Sequence, residues 1–414
     1  MNIPSDIRAA AGRAEKALAP TFADIEKNAR VCTERVLDTF AEFRVSESMF
    51  APSTGYGVGD TGRDTVDKIV ARIFGAEAAL CRHQLVSGTH TISVALYGML
   101  RPGDVLLYAT GTPYDTLRPV IGIEKQGSGS LMDFGVEYAD VDLTADGSVD
   151  LHALGEALDR YGERVRVVAF QRSKGYASRR TLSADEIGEA CKFVKSRAPR
   201  AFTFVDHCYG EFTGPAEPCA LGADVMAGSL IKNAGGGMAD TGGYIAGTAE
   251  CVELAGYRLT CPGVGPETGA SLGQTRNILK GFFYAPHTVA EALKTAHLAA
   301  YLFGEAGYHV HPKPFEERYD IIQAIDLGTP EALVRFCGGI QAASPVDAFA
   351  APTPGEQGGY ADKVVMAAGT FVEGASIELS ADGPMREPYT VFVQGGLTYE
   401  SARLGIMSAL AAMR

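Results

Sequence analysis

The sequence predicts an α/β protein with a mostly parallel central sheet and a smaller C-terminal α+β domain. Three observations lead there. Short apolar runs that read as strands (105–109, 136–141, 165–170, 202–205, 225–227 and 244–246) alternate with helical stretches, the pattern of a parallel sheet buried on both faces. Forty-nine glycines are spread through many short loops and do not collect in a linker. After a long helical region over 270–303 the pattern changes to separated β-rich runs (321–325, 364–367, 376–379 and 390–393) and a final helix over 399–413.

The order of elements follows. Residues 5–43 carry apolar positions at helical spacing (Ile25, Ala29, Val36, Leu37, Phe40) and predict one or two helices. A glycine-rich loop over 53–62 precedes a helix with Val66, Ile69, Val70 and Ile73 on one face and Gly75 at its end. The division is an N-terminal helical segment (1–52), a large domain (53–306) and a small domain (307–414).

Composition narrows the function. With 414 residues, 46% hydrophobic and 21% charged, the chain can bury a sizeable core. Its net charge of −13, with no basic stripe interleaved with aromatics, argues against a nucleic-acid partner. Neither a membrane span nor a signal peptide is indicated, so the cytoplasm is the expected location. Eight cysteines without CxxC spacing favour reduced, buried thiols over disulfides or a metal site.

The residues that carry chemistry cluster at predicted strand ends. Asp206 closes an apolar strand at the sheet edge where ligand sites gather, although a helix cap is the plainer role for it. Lys232 follows the next strand in the Gly/Ala-rich stretch GSLIKNAGGG, a setting in which burial should lower its pKa and leave an amine able to attack an aldehyde. A carboxylate and an imine-forming lysine one strand later are what pyridoxal 5′-phosphate (PLP) requires, the carboxylate keeping the pyridinium nitrogen protonated. Ser87, Gly88 and Thr89 open a helix whose N–H groups suit a phosphate, unless Ser87 is only an N-cap. Ser229 is placed for the same phosphate. Tyr114 could stack on the pyridine ring or cover the sheet edge as a turn aromatic. His90 and His207 flank these motifs and read as structural histidines.

Together these residues resemble the fold-type I PLP enzymes of the cystathionine γ-lyase and methionine γ-lyase class. SGTHTISVALYGMLRPGD (from Ser87), TGTPYDTL (from Thr110), VDHCYGEF (from Val205) and GSLIKNAGGG (from Gly228) are similar to one branch, the methionine γ-lyase-like or aluminium resistance proteins. The resemblance implies catalytic roles for Lys232, Asp206 and Tyr114, and Tyr56 reaching a partner subunit's phosphate in a homodimer with shared sites, assembled further into a homotetramer. The arginine that accompanies this tyrosine in relatives does not align, and the nearest, Arg63, reads equally as a solvated helix-start residue. Arg386 in GPMREPY is the candidate for the substrate carboxylate, against an exposed loop arginine. Gln171 or Ser173 could approach the cofactor's 3′-oxygen, and Arg172 and Lys174 could bind substrate or be solvated. The implied reaction is γ-elimination from a sulfur amino acid. β-Elimination, γ-replacement, carbon–carbon cleavage and a non-catalytic part in metal tolerance stay open.

Overall fold

Alternating apolar strands and helices in the first 250 residues build one sheet with helices on both faces, and the computed structural model describes residues 3–124 and 127–414. Among these residues the strands of the large sheet are β1 (Ala78–Arg82), β2 (Val105–Tyr108), β3 (Glu137–Asp140), β4 (Val165–Gln171), β5 (Phe202–Asp206), β6 (Val225–Ser229) and β7 (Gly243–Gly247). Their order is β1-β7-β6-β5-β4-β2-β3, and only β7 runs against the rest. The α/β class expected from the sequence is the class observed. β1 was not anticipated: AALCR is short and offers no alternation, and it is fixed by antiparallel pairing with β7, far away in sequence.

The parallel direction decides where the chemistry goes. The loops after β2, β4, β5 and β6, and the turn from β1 into the helix Gly88–Met99, all emerge at the carboxyl edge of the sheet. Both faces of the sheet are buried. On one, Val70, Phe74, Val168, Val205, Phe282 and Val289 belong to a continuous core, and on the other Leu96, Leu106, Val167, Phe204 and Ile245 do.

The second sheet is antiparallel, with β8 (His309–His311), β9 (Ile322–Asp326), β10 (Val364–Ala367), β11 (Ser380–Pro384) and β12 (Thr390–Gln394) in the order β10-β11-β12-β9-β8. Residues 376–379, expected as a strand, form a turn instead. There Glu378 accepts the N–H groups of Phe371 and Val372 at 2.8 and 2.9 Å, and pairing starts only at Ser380. The helix Thr275–Glu305 spans both lobes, and so does the single helix Ser5–Glu42. Ile7, Ala11 and Ala14 of the latter pack with Leu298, Leu302 and Phe303 in the core of the small lobe, while its Cys32 and Val36 lie in the core of the large one.

Phe74 shows how the large core is tied together. It ends the helix Thr61–Phe74, fully buried, with ring centroids 4.8 Å from Tyr244 and 5.8 Å from both Phe212 and Phe282. Phe74→Ala should lower unfolding free energy by about 3–5 kcal/mol in chemical denaturation, since the sheet and two helices around the ring cannot all collapse into the void. A loss below about 1 kcal/mol would show that the site repacks freely.

Candidate active site

At the carboxyl edge of the large sheet, under the small lobe, lies a cavity of about 260 Å³. Ser87, Gly88, Thr89, Tyr114, Asp206, Ser229 and Lys232 all line it. The carboxyl ends of β1, β2, β5 and β6, distant in sequence, meet there because all four strands run in the same direction.

Gly88 shows how tight the meeting is. A Cβ at that position would lie 3.4 Å from Cys208 Sγ, 3.5 Å from Ser229 Cβ and 3.9 Å from Lys232 Nζ. The first turn of the helix Gly88–Met99 therefore lies beside the lysine with room for little more than a methyl group between them. Ser87 does act as the N-cap, accepting the His90 N–H at 3.0 Å, which leaves the N–H groups of Gly88 and Thr89 facing out of the helix start. Ser229 is fully buried, and its hydroxyl has no hydrogen-bond partner among the described residues. An orphaned hydroxyl beside a helix start and a lysine suits an anion, and a phosphate fits there.

Asp206 ends β5 and accepts the Cys208 N–H at 3.2 Å. Burial raises its pKa, against the pull of Lys232, the Cys208 hydrogen bonds and Arg179. A cation set against it, for example a pyridinium, favours its ionised form. For Lys232 the direction is opposite to the expectation from sequence. Burial alone would lower its pKa, but Cys208, Tyr209 and Asp206 crowd around the amine and raise it above that of a free lysine. The Lys232 ammonium sits 4.2 Å from the centre of the Tyr209 ring. That ring is held by a left-handed backbone (φ 72°) and by Asn233, whose side-chain N–H donates to the Tyr209 carbonyl at 2.9 Å. The residue next to Lys232 thus locks the loop that carries Asp206 and Tyr209.

The roof was not foreseen. Tyr114, Tyr176, Tyr360 and Phe392 pack ring against ring with centroids 4.9–5.9 Å apart, and the hydroxyls of Tyr114 and Tyr360 are 2.5 Å from each other. Asp382 on β11 accepts from Tyr176 Oη at 2.7 Å and Gln394 Nε2 at 3.0 Å, and burial pushes its pKa up to about 6. Burial and the neighbouring Tyr360 and Asp382 push the Tyr114 phenol well above its usual pKa, so it is a neutral donor. Only VDHCYGEF offered a signal for Cys208 and Tyr209. Asp382 and Tyr360 carry none, because the small lobe reaches the site by tertiary packing.

Several expected residues lie elsewhere. Tyr56 is 82% exposed on the 53–62 loop and is absent from the lining of this chain's own cavity. Arg63 is neither solvated nor near the anion place: it is buried and donates to the carbonyls of Gly57, Glu267 and Gly269 at 2.8–3.0 Å, fastening that loop. Arg386 is ion-paired to Asp362 at 3.0 Å and lines a separate, larger cavity of about 770 Å³. Gln171 and Ser173, by contrast, stay on the wall of the catalytic cavity, where Gln171 accepts the Tyr114 N–H at 2.7 Å and Ser173 donates its hydroxyl to Asp320 at 2.9 Å. Arg172 is fully buried in the core, donating to the carbonyls of Leu182 and Gly210, and Lys174 is buried too. His207 is a structural residue, 2.8 Å from Glu217 and against Arg172. His90 accepts the Val86 N–H at 3.2 Å.

Comparison with known proteins adds the following. The family model described as methionine gamma-lyase matches residues 7–414. The uncharacterized protein YnbB of Bacillus subtilis is 50% identical over 377 residues, covering 91% of this chain and 89% of that protein. A solved structure from Listeria monocytogenes, described as a candidate cystathionine beta-lyase involved in aluminium resistance, is 46% identical with TM-score 0.95, covering 98% of this chain and 100% of that one. One from Clostridium novyi, described as a carbon-sulfur lyase involved in aluminium resistance, is 44% identical with TM-score 0.96, covering 100% of this chain and 97% of that one.

Two outcomes test this geometry. Ser229→Ala should weaken PLP binding about tenfold in equilibrium dialysis, the worth of one hydrogen bond to a charged group. Unchanged affinity would place the phosphate elsewhere. For Asp382, the folded pKa of about 6 lies above the unfolded value near 3.8, so its burial destabilises the fold increasingly as pH rises between the two. Asp382→Asn should therefore gain on the parent by about 2 kcal/mol between pH 4 and pH 7 in denaturant titrations, whereas a constant difference would show the carboxyl to be unperturbed.

Proposed function

The chain belongs to the methionine gamma-lyase family and is a PLP-dependent carbon–sulfur lyase, and from that premise we propose that it cleaves a sulfur amino acid by γ-elimination, yielding a thiol, a keto acid and ammonia with uptake of water. The observation that carries the reading is the convergence of Lys232, Asp206 and the unpartnered Ser229 hydroxyl on one buried cavity.

When bound, PLP supplies an aldehyde that joins an amine and an electron-poor ring that takes up the electron pair of a broken bond at Cα. Ser229 and the N–H groups of Gly88 and Thr89 would hold its phosphate, Asp206 the proton on its ring nitrogen, Tyr114 the face of its ring, and Lys232 its aldehyde carbon. Lys232 is then the base for the substrate Cα proton. The Tyr209 ring, 4.2 Å from its nitrogen, steadies the ammonium that results. Tyr114, kept as a neutral phenol and linked to Tyr360, is the acid that meets the departing thiolate. Ile92, Ile231, Ile322, Met366 and Phe392 on the same walls suit a thioether chain.

A second reading, β-elimination, is favoured by the description of the Listeria relative. Both reactions begin with loss of the Cα proton to Lys232, and they differ in where the leaving sulfur sits: from Cβ it departs directly, from Cγ only after a Cβ proton is removed as well. Metal tolerance without catalysis has less support: among the described residues no group of three His, Cys, Asp or Glu side chains is set to hold a metal ion.

We place Tyr56 in the site of a partner subunit, which makes a homodimer the smallest active unit and a homotetramer its further assembly. The support is the exposure of Tyr56, Val58, Val86 and Leu272, apolar side chains at 61–82%. The cytoplasm is the proposed compartment, consistent with eight free cysteines, and among the described residues no helix is long and apolar enough to cross a membrane.

Incubation of the holoenzyme with methionine and with cystathionine decides between the readings. γ-Elimination gives methanethiol and 2-oxobutanoate from methionine, while β-elimination gives homocysteine and pyruvate from cystathionine and leaves methionine untouched. Lys232→Ala should abolish either by at least about 10³-fold, the typical worth of a positioned base. Turnover of neither compound would end the lyase reading. Mixing inactive Tyr56→Phe and Lys232→Ala subunits should restore part of the activity, and no recovery despite subunit exchange would contradict a shared site.

A further inference from the structure

Behind the catalytic cavity lies the second one, and the two share Tyr114, Gln171 and Tyr176 as a common wall. Its charges are unevenly matched. Arg118 is paired with Asp115 and Glu124, Arg180 with Glu186, and Arg386 with Asp362, all at 2.5–3.1 Å. Two further cations on the wall have no carboxylate in ion-pair contact among the described residues.

Lys174 is 1% exposed, and its ammonium makes one long hydrogen bond, 3.3 Å to the His311 carbonyl. Arg179 donates only to backbone carbonyls, those of Gln171 and Ser173 at 2.7 Å, Arg180 at 3.0 Å and Arg172 at 3.3 Å. The nearby carboxylate Asp320 is already engaged by Ser173, Thr181 and the Ile322 N–H. On the cavity wall Asp146 is taken up by Thr144 and Ser148, leaving Asp142 against two cations. Burial lowers the Lys174 pKa to about 8, so it is charged at neutral pH in spite of having spare donors.

We propose that this second cavity is a binding site for a small carboxylate or phosphate anion, held by the spare donors of Lys174, with the carbonyl-bound Arg179 guanidinium adding only its charge beside it. An ammonium sealed from water with unused donors is costly unless an anion completes it, and a cavity of this size takes a group larger than water. The anion is either the acidic tail of a substrate that enters past Tyr114 and Tyr176 or a separate small ligand. The site does not depend on the lyase reading.

The test uses the PLP-loaded enzyme, in which the cofactor fills the first cavity, titrated calorimetrically with glutarate and with inorganic phosphate. At least one should bind with a millimolar dissociation constant that rises about tenfold in Lys174→Met and is largely kept in Lys174→Arg. Should Lys174→Met fold poorly, a crystal of the unaltered holoenzyme soaked in the same anion must show it against Lys174 Nζ. If glutarate competes with cystathionine and not with methionine, the anion is the substrate's tail; if it alters both alike, it is a separate ligand. Absence of binding of either probe, equal binding by Lys174→Met, or anion density elsewhere would overturn the proposal.

Discussion

An ammonium group half-buried at the edge of a sheet is the constraint on which the rest of this molecule depends. Lys232 would be costly in an apolar cavity without compensation, and the protein compensates it with Asp206, Cys208 and the face of Tyr209. To bring those groups in, Tyr209 takes a left-handed backbone, Asn233 ties one loop to the other, and Gly88 lets a helix start within reach of the amine. The site is therefore made of backbone close approaches as much as of side chains. A methyl group at Gly88 would fill the space against Cys208, Ser229 and Lys232 at van der Waals contact.

The two lobes contribute different chemistry. The large sheet delivers the anion place, the carboxyl and the lysine from consecutive strand ends, a consequence of parallel topology. The small lobe delivers the roof: Tyr360, Phe392, Gln394 and Asp382, which carry no formal positive charge. Cations collect instead behind the Tyr114–Tyr176 wall. The unpaired cations Lys174 and Arg179 thus lie on the far side of a layer of aromatic rings from Lys232.

Much of this was legible in the sequence where position along the chain determines position in space. Asp206, Ser229 and Lys232 follow strands β5 and β6, and Ser87-Gly88-Thr89 opens a helix, so strand–helix alternation alone brought them to one edge. What sequence could not supply was partnership across lobes. Tyr360 is more than a hundred residues from the cofactor motifs, and Asp382 directly precedes GPMREPY, a stretch that drew attention to Arg386 and not to this carboxyl. Burial was misjudged for the same reason: Arg63 and Lys174 look like solvated cations until the carbonyls of distant loops close over them. The direction of the Lys232 pKa also turned on neighbours from another strand end, since burial alone pointed the other way.

The central claim is that Lys232, and not the buried Lys174, carries the cofactor. Reducing the PLP-loaded enzyme with borohydride fixes the cofactor to whichever amine holds it, and peptide mass spectrometry then locates it. The account predicts a phosphopyridoxyl mass on the peptide containing Lys232 and none on that containing Lys174. Label on Lys174, or an unlabelled Lys232 in enzyme that had bound PLP, would contradict it.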